Sequence, residues 1–228
     1  MKSRTIATYE ILKTQLLEGR FQPGVKLKID EICHLCEASP GAVREALSRL
    51  TSDGLVVSIP QRGFIVAPIS AEDLIDLTQV RIDIEVLCLR RSIEFGDLAW
   101  EGRIQAAWHE LKHTPMRVPE LKTVNPAWAQ AHLTFHDTLV EACKSAWWLK
   151  LRGQMFIQAE RYRRMLFSYD DSMRDVDQEH GDIANATLAR DADLACKLLA
   201  EHAQRTTAHL RECATLLSDA AKAPAEVV

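Results

Sequence analysis

No run of about 18 consecutive apolar residues occurs in the 228-residue sequence, so no membrane-spanning helix is expected. No basic-then-apolar leader opens it either, so no secretion signal is expected and a cytoplasmic location follows. The six cysteines, Cys33, Cys36, Cys88, Cys143, Cys196 and Cys213, are scattered through helical patterns and form no disulfide framework. Reduced thiols are then the default. The one CxxC, Cys33 to Cys36, has no second CxxC to complete a zinc site, and both positions fall where a helix faces its neighbours; it reads as core packing. There is no internal repeat and no low-complexity tract. What is present, 47% hydrophobic and 26% charged residues, suits a soluble globular chain long enough for one large or two modest domains.

Net charge is −4, unevenly spread. Residues 1–69 hold 9 Lys and Arg against 7 Asp and Glu, giving +2, while residues 70–228 hold 19 against 25, giving −6. A mildly basic first third and an acidic remainder fit a DNA-contacting head on a body that does not touch DNA.

Within the basic third, Ser39–Thr51 is the most informative stretch. Ser39 is a helix cap and Pro40 occupies the first helical position, where its missing N–H costs nothing. Val43, Ala46, Leu47 and Leu50 make one apolar stripe, and the opposite arc carries Arg44, Glu45, Ser48 and Arg49. Such a helix suits the DNA major groove. Glu45 is able to accept from a cytosine amino group or, as plainly, to pair with Arg49 at i,i+4. Thr5–Glu18 and Asp30–Glu37 read as preceding helices and Val25–Leu27 as a short extended piece. Leu55–Ile59 and Phe64–Val66 flank Gln61-Arg62-Gly63 as a hairpin. Three helices and a hairpin make a winged helix-turn-helix.

Residues Ile6 to Val66 resemble the DNA-binding domain of the GntR family of bacterial transcription regulators. The matching pieces are LLEGRFQPGVKL, VREALSRLTSDGLV and PQRGFIV, in the family's order and spacing. The resemblance implies that Arg44 and Arg49 contact DNA and that Arg62 and Gly63 place the wing tip in or beside the minor groove. Two positions depart from the pattern. Pro40 stands where the family usually has Arg, which touches operator preference, and Glu37 stands where a turn glycine is common.

Ile69-Ser70 reads as the hinge. Ser70 with Asp73 looks like a capping box that starts a helix running to about Phe95. Arg81 lies inside that helix's apolar stripe of Leu74, Leu77, Ile84 and Cys88, so its guanidinium needs a carboxylate, from the protein or from a ligand. Further helices are expected at about Leu98–His113, Pro126–Cys143, Ala146–Phe167, Met173–Arg190 and Ala192–Leu217, with Pro115, Pro119 and Pro126 punctuating one irregular connection. No strand pattern appears after residue 70. The fold expected is therefore mainly α: a winged helix-turn-helix over 1–69, an all-helical antiparallel bundle over 70–219, and a flexible tail over 220–228.

His132 and His136 stand i,i+4 on one helix and project from one face, with His180 and His202 on later helices. From His180 onward the second domain resembles the FCD-type ligand-sensing domain of the family's FadR branch. There one helix carries an acid and a His four residues apart, and the last two helices each supply a His. The resemblance implies a divalent metal held by His132, His136, His180 and His202, with His132 standing where the family normally has Asp. Four neutral imidazoles leave the ion at +2 and suit Zn or Ni, with Co or Cu behind them, better than Mg or Ca. Such a centre favours an anion, so a small carboxylate effector is expected, with Arg81 as a second contact.

The reading that follows is a homodimeric regulator, a repressor relieved by its effector, on an inverted-repeat operator. Two alternatives stand beside it: a plain metal sensor, and a zinc-water hydrolase. Against the hydrolase, there is no HExxH and no carboxylate placed as a general base; Glu179, next to His180, is expected to point elsewhere.

Overall fold

The structure, a computed structural model, describes residues 4–118, 121–166 and 174–222. The chain divides into two compact units, one holding the residues up to Ser70 together with Ile157–Met165, the other Ala71–Phe156 together with the chain from Leu166 on.

In the first unit, α1 (Arg4–Leu17), α2 (Ile29–Cys36) and α3 (Pro40–Ser52) enclose a core with a three-stranded antiparallel sheet of order β1-β3-β2. Its strands are β1 (Lys26–Leu27), β2 (Val56–Ile59) and β3 (Gly63–Val66). The hairpin register runs Val56 opposite Val66 to Ile59 opposite Gly63. Leu12, Leu16, Ile32, Val43, Leu47 and Leu50 are buried together, which is the 3.6-residue periodicity of three helices meeting at one centre. Cys33 and Cys36 pack against this core, and burial, with Cys33 alongside, pushes the Cys36 thiol upward. Between α2 and α3, Glu37 sits in the left-handed region at φ 48°, where its backbone N–H bonds the Cys33 carbonyl. This is the conformation for which glycine is the usual choice.

The helix α7 (Ala146–Leu166) supplies the rest of the first unit. Gln158 donates to the carbonyl of Asp53, and Arg161, which is buried, donates from Nη1 to the Ala67 carbonyl at 3.4 Å and from Nη2 to the Pro68 carbonyl at 3.1 Å. The backbone N–H of Ser70 donates to Tyr162 Oη at 3.2 Å. Gly54 turns at φ +72°, and a Cβ there would stand 2.9 Å from Gln158 Nε2, so both the turn and the approach ask for glycine. The expected division after residue 69 lacks this late segment because nothing in local periodicity says which unit a long helix joins.

In the second unit, α4 (Ala71–Phe95), α5 (Leu98–His113), α6 (Pro126–Val140), the first half of α7, α8 (Val176–Leu188) and α9 (Ala192–Lys222) pack around Leu89, Trp100, Ile104, Trp128, Phe135, Leu139 and Ile183. Trp100 Nε1 is satisfied by the Thr138 carbonyl at 2.7 Å. The sequence differs from its all-helical expectation in one place. A small antiparallel hairpin, β4 (Arg117–Val118) and β5 (Leu121–Val124), fills the proline-punctuated connection. Runs of two and four residues are too short to show alternation. Asn125 then ends the hairpin and caps α6, its side chain accepting from Ala127 N at 3.0 Å and donating to the Pro115 carbonyl at 2.8 Å. A 3-10 turn, Glu141–Cys143, follows α6 where one continuous helix was expected. The helical backbone of α9 continues through Lys222, into the stretch expected to be a tail; residues from 223 on, like Met173 at the expected start of α8, lie outside the described residues. No described helix is long and apolar enough to cross a membrane.

Candidate nucleic-acid interface and metal centre

On the first unit, Ser39 caps α3 by accepting from Ala42 N at 3.3 Å, which fixes where the helix starts. Val43, Ala46, Leu47 and Leu50 are fully buried, so Arg44, Glu45, Ser48 and Arg49 are turned out to solvent. Glu45 accepts from Thr5 Oγ1 at 3.3 Å and does not pair with Arg49, which leaves the Arg49 guanidinium on the exposed arc. Arg62 and Gly63 are exposed at the tip of the hairpin, where Gln61 at φ 60° and Gly63 at φ +93° make the turn. One exposed helix face and one exposed wing tip therefore carry all seven of the residues expected at DNA.

On the second unit, the four histidines come together. His132 and His136 from α6, His180 from α8 and His202 from α9 are all buried, and each offers a ring nitrogen within 4.8 Å of the others. Among the described residues this is the group of His, Cys, Asp and Glu side chains placed to hold an ion. His132 Nε2 and His136 Nε2 lie 3.1 Å apart. Two nitrogens bound to one tetrahedral ion at about 2.0–2.1 Å stand roughly 3.3 Å apart, so the pair already has a chelating bite. Packing fixes the rings: His132 stacks on buried Trp128 at 4.7 Å, and Phe135 meets both His136 and His180 edge-on at 5.3 Å. Burial first, and then the neighbouring imidazoles and the Arg81 and Arg152 guanidiniums, hold His136 well below its usual range; burial also lowers His202, against the pull of Glu179. Neutral imidazole is the ligating form.

Around the imidazoles lies a shell of charge. Glu179 does not point away: its Oε2 is 2.8 Å from His202 Nδ1, and its carboxylate is also clasped by Arg174. A residue one before His180 on a helix is turned about 100° from it. That turn keeps Glu179 off the His180 side and aims it at α9. With Nδ1 engaged by Glu179, His202 presents Nε2 to the cluster, the arrangement in which a carboxylate orients a ligating histidine. Burial raises Glu179 but its bonds to Arg174 and His202 outweigh this and hold it far below the usual carboxylate range.

Arg81 is paired within the protein. Its Nε donates to Glu85 Oε1 at 2.6 Å, and Glu85 is buried. Burial pushes Glu85 up, but the Arg81 and Arg152 guanidiniums more than offset it, so the carboxyl stays ionised. Arg152, on α7, reaches the same place and bonds Asp137 through Nη1. Its signal was in the sequence: Leu149, Arg152 and Phe156 follow at helical steps of three and four, an arginine in an apolar stripe as at Arg81.

A winged helix-turn-helix with a bare arginine face, joined to a helical unit with a buried polar centre, defines a DNA-binding transcription regulator. Residues 5–66 match the model for "Bacterial regulatory proteins, gntR family" and residues 76–205 match the FCD domain. The chain belongs to the GntR family of regulators, with an FCD domain as its second part, and is not an enzyme. It is 37% identical over 215 residues to an HTH-type transcriptional regulator, BphR, of Paraburkholderia xenovorans (strain LB400), covering 93% of this chain and 87% of that one. It is 31% identical over 199 residues to the HTH-type transcriptional repressor GlaR of Escherichia coli (strain K12), covering 85% and 90%. The solved structure of E. coli McbR/YncC superposes with a TM-score of 0.75 at 20% identity, over 93% of this chain and 99% of that one, a likeness of fold.

Proposed function

We propose that the chain is a repressor that binds an inverted-repeat operator as a homodimer in the cytoplasm. A small carboxylate bound at a divalent metal in the helical unit controls it. Arg44 and Arg49, with Ser39, Glu45 and Ser48 beside them, read the major groove, and Arg62 and Gly63 address the minor groove. The observation that carries the sensing half is the set of four buried imidazoles with one carboxylate, Glu179, steering His202 from behind. His132, His136, His180 and His202 would hold the ion, and a nitrogen-only set favours Zn or Ni over oxygen-seeking cations. When bound, the metal supplies a +2 Lewis-acidic centre for an acid group; the protein's own residues keep the imidazoles neutral, oriented and dry. The effector relieves repression by preferring one of two states of the dimer, since a ligand shifts an equilibrium only by its differential affinity. The repressor assignment draws support from the relative that bears that name.

Two substitutions test this reading. Glu179→Gln removes the charge that orients His202, and metal affinity measured by chelator competition should fall about 10–100-fold. An unchanged affinity would leave Glu179 with a purely structural role. His132→Asp lowers the charge of the loaded site from +2 to +1. With a unit charge worth roughly 4 kcal/mol at 4 Å and intermediate dielectric, carboxylate binding should weaken by at least about tenfold. A tighter-binding Asp variant would reject site charge as the source of anion affinity. Operator release by metal alone, with no organic acid present, would favour a plain metal sensor.

A further inference from the structure

Arg152, on α7, is a buried cation. Its side chain is 3% exposed. Nη1 bonds Asp137, whose own side chain is 54% exposed, while Nε and Nη2 are buried and have no hydrogen-bond partner. Those two nitrogens belong to the same edge of the guanidinium: their N–H bonds run parallel, the side-on fork that matches the two oxygens of a carboxylate. Glu85 Oε2 faces Nη2 as an ion pair at 3.7 Å, beyond hydrogen-bond distance, while Glu85 Oε1 accepts from Arg81 Nε. A buried donor left unmade is costly, so an empty fork is unusual in the interior of a protein.

The fork also lies beside the histidines. The Arg152 guanidinium sits 4.5 Å from the centre of the Phe156 ring, which the Arg81 guanidinium also covers at 4.8 Å. That ring lies 5.6 Å from His136 and 6.0 Å from His132. Arg81 and Glu85 also border, with Leu199 and Ala203, a narrow surface crevice between α4 and α9.

We propose that Arg152, and not Arg81, is the protein's second anchor for the effector, and that the effector is an organic diacid. One carboxylate meets the Nε–Nη2 edge of Arg152 side-on, and the other acid group meets the ion held by the histidines. The inference rests on the metal-and-carboxylate reading above and adds to it the residue that selects a second acid group. Arg81 serves to hold Glu85 in place, so that Glu85 balances the charge of Arg152 without filling its fork.

The test uses the full chain loaded with zinc, with metal content measured on every sample. The probes are the linear diacids from oxalate to adipate and the monoamide of each, titrated by calorimetry. In the wild type at least one diacid should bind about 10–100-fold more tightly than its monoamide, the worth of a charge-assisted bidentate pair. Arg152→Gln should erase that preference with zinc retained. Arg152→Lys, which keeps the charge and the reach to Asp137 but loses the fork, should keep only a minor part of it. Arg90→Gln, at an exposed pair with Asp193, should leave it intact. A diacid preference undiminished in both Arg152 variants overturns the assignment while the metal reading stands. Zinc-loaded wild type with no diacid preference overturns it as well. Wild type that takes up no zinc fails the metal reading itself, and the metal analysis separates that result from the others. Should the Gln variant not fold, the Lys variant alone decides.

Discussion

Replacing His136 and His180 together by alanine should leave a protein that no longer carries stoichiometric metal. The two rings come from different helices, so their loss removes both the i,i+4 bite on α6 and the cross-link to α8. What remains, His132 and His202, is a pair on separate helices. Elemental analysis of the purified variant reads the result directly, and thermal unfolding gives an independent measure. An ion at about 100 times its dissociation constant stabilises the folded state by roughly 2.7 kcal/mol, and that increment on adding zinc should vanish in the double variant. The alanines also leave cavities in a buried site, at about 2–5 kcal/mol for a large side chain, so the metal-free wild type is the proper reference for stability. Retention of a full equivalent of metal would take the histidines out of the ligand set.

The second large effect is expected at the head. Arg44 stands on the exposed arc of α3 with its backbone fixed by four buried neighbours on the opposite face. Arg44→Ala therefore removes a contact without disturbing the core. If Arg44 meets a phosphate, the slope of log affinity against log salt should shrink by about 0.9 per protomer; if it meets a base edge, about 1–3 kcal/mol of discrimination at one position should go. Measuring operator affinity over a salt series, against a random duplex, tells these apart. Identical affinity and slope in variant and wild type would remove α3 as the reading helix.

The sequence exposed the head almost entirely. Capping by Ser39, the stripe from Val43 to Leu50 and the polar hairpin tip are local signals, and local signals are what a single sequence carries. His132 and His136 were legible for the same reason, one helix face at i,i+4. The partners around them were not. Glu179 differs from its expected direction because its angle to His180 is a local property while its distance to His202, 23 residues away, depends on how α8 packs on α9. Arg81 showed that a buried cation needs an anion, yet the choice between Glu85 and a ligand turns on a rotamer. Arg152 carries the same signal, an arginine in an apolar stripe, and its partners too depend on packing. The short hairpin at Arg117–Val124 lay below the length at which alternation is visible.

The dependence of the first unit on Arg161 has a consequence for how the chain is born. The carbonyls that Arg161 binds belong to Ala67 and Pro68, 94 and 93 positions earlier. Domains generally fold from the N-terminus as they leave the ribosome. This one emerges early with the residues of α3 and its hairpin synthesised but the Arg161 donors still to come, and those two hydrogen bonds form only after more than half of the second unit has been translated. A chain cut before α7 should therefore hold its first unit together less firmly than the finished molecule.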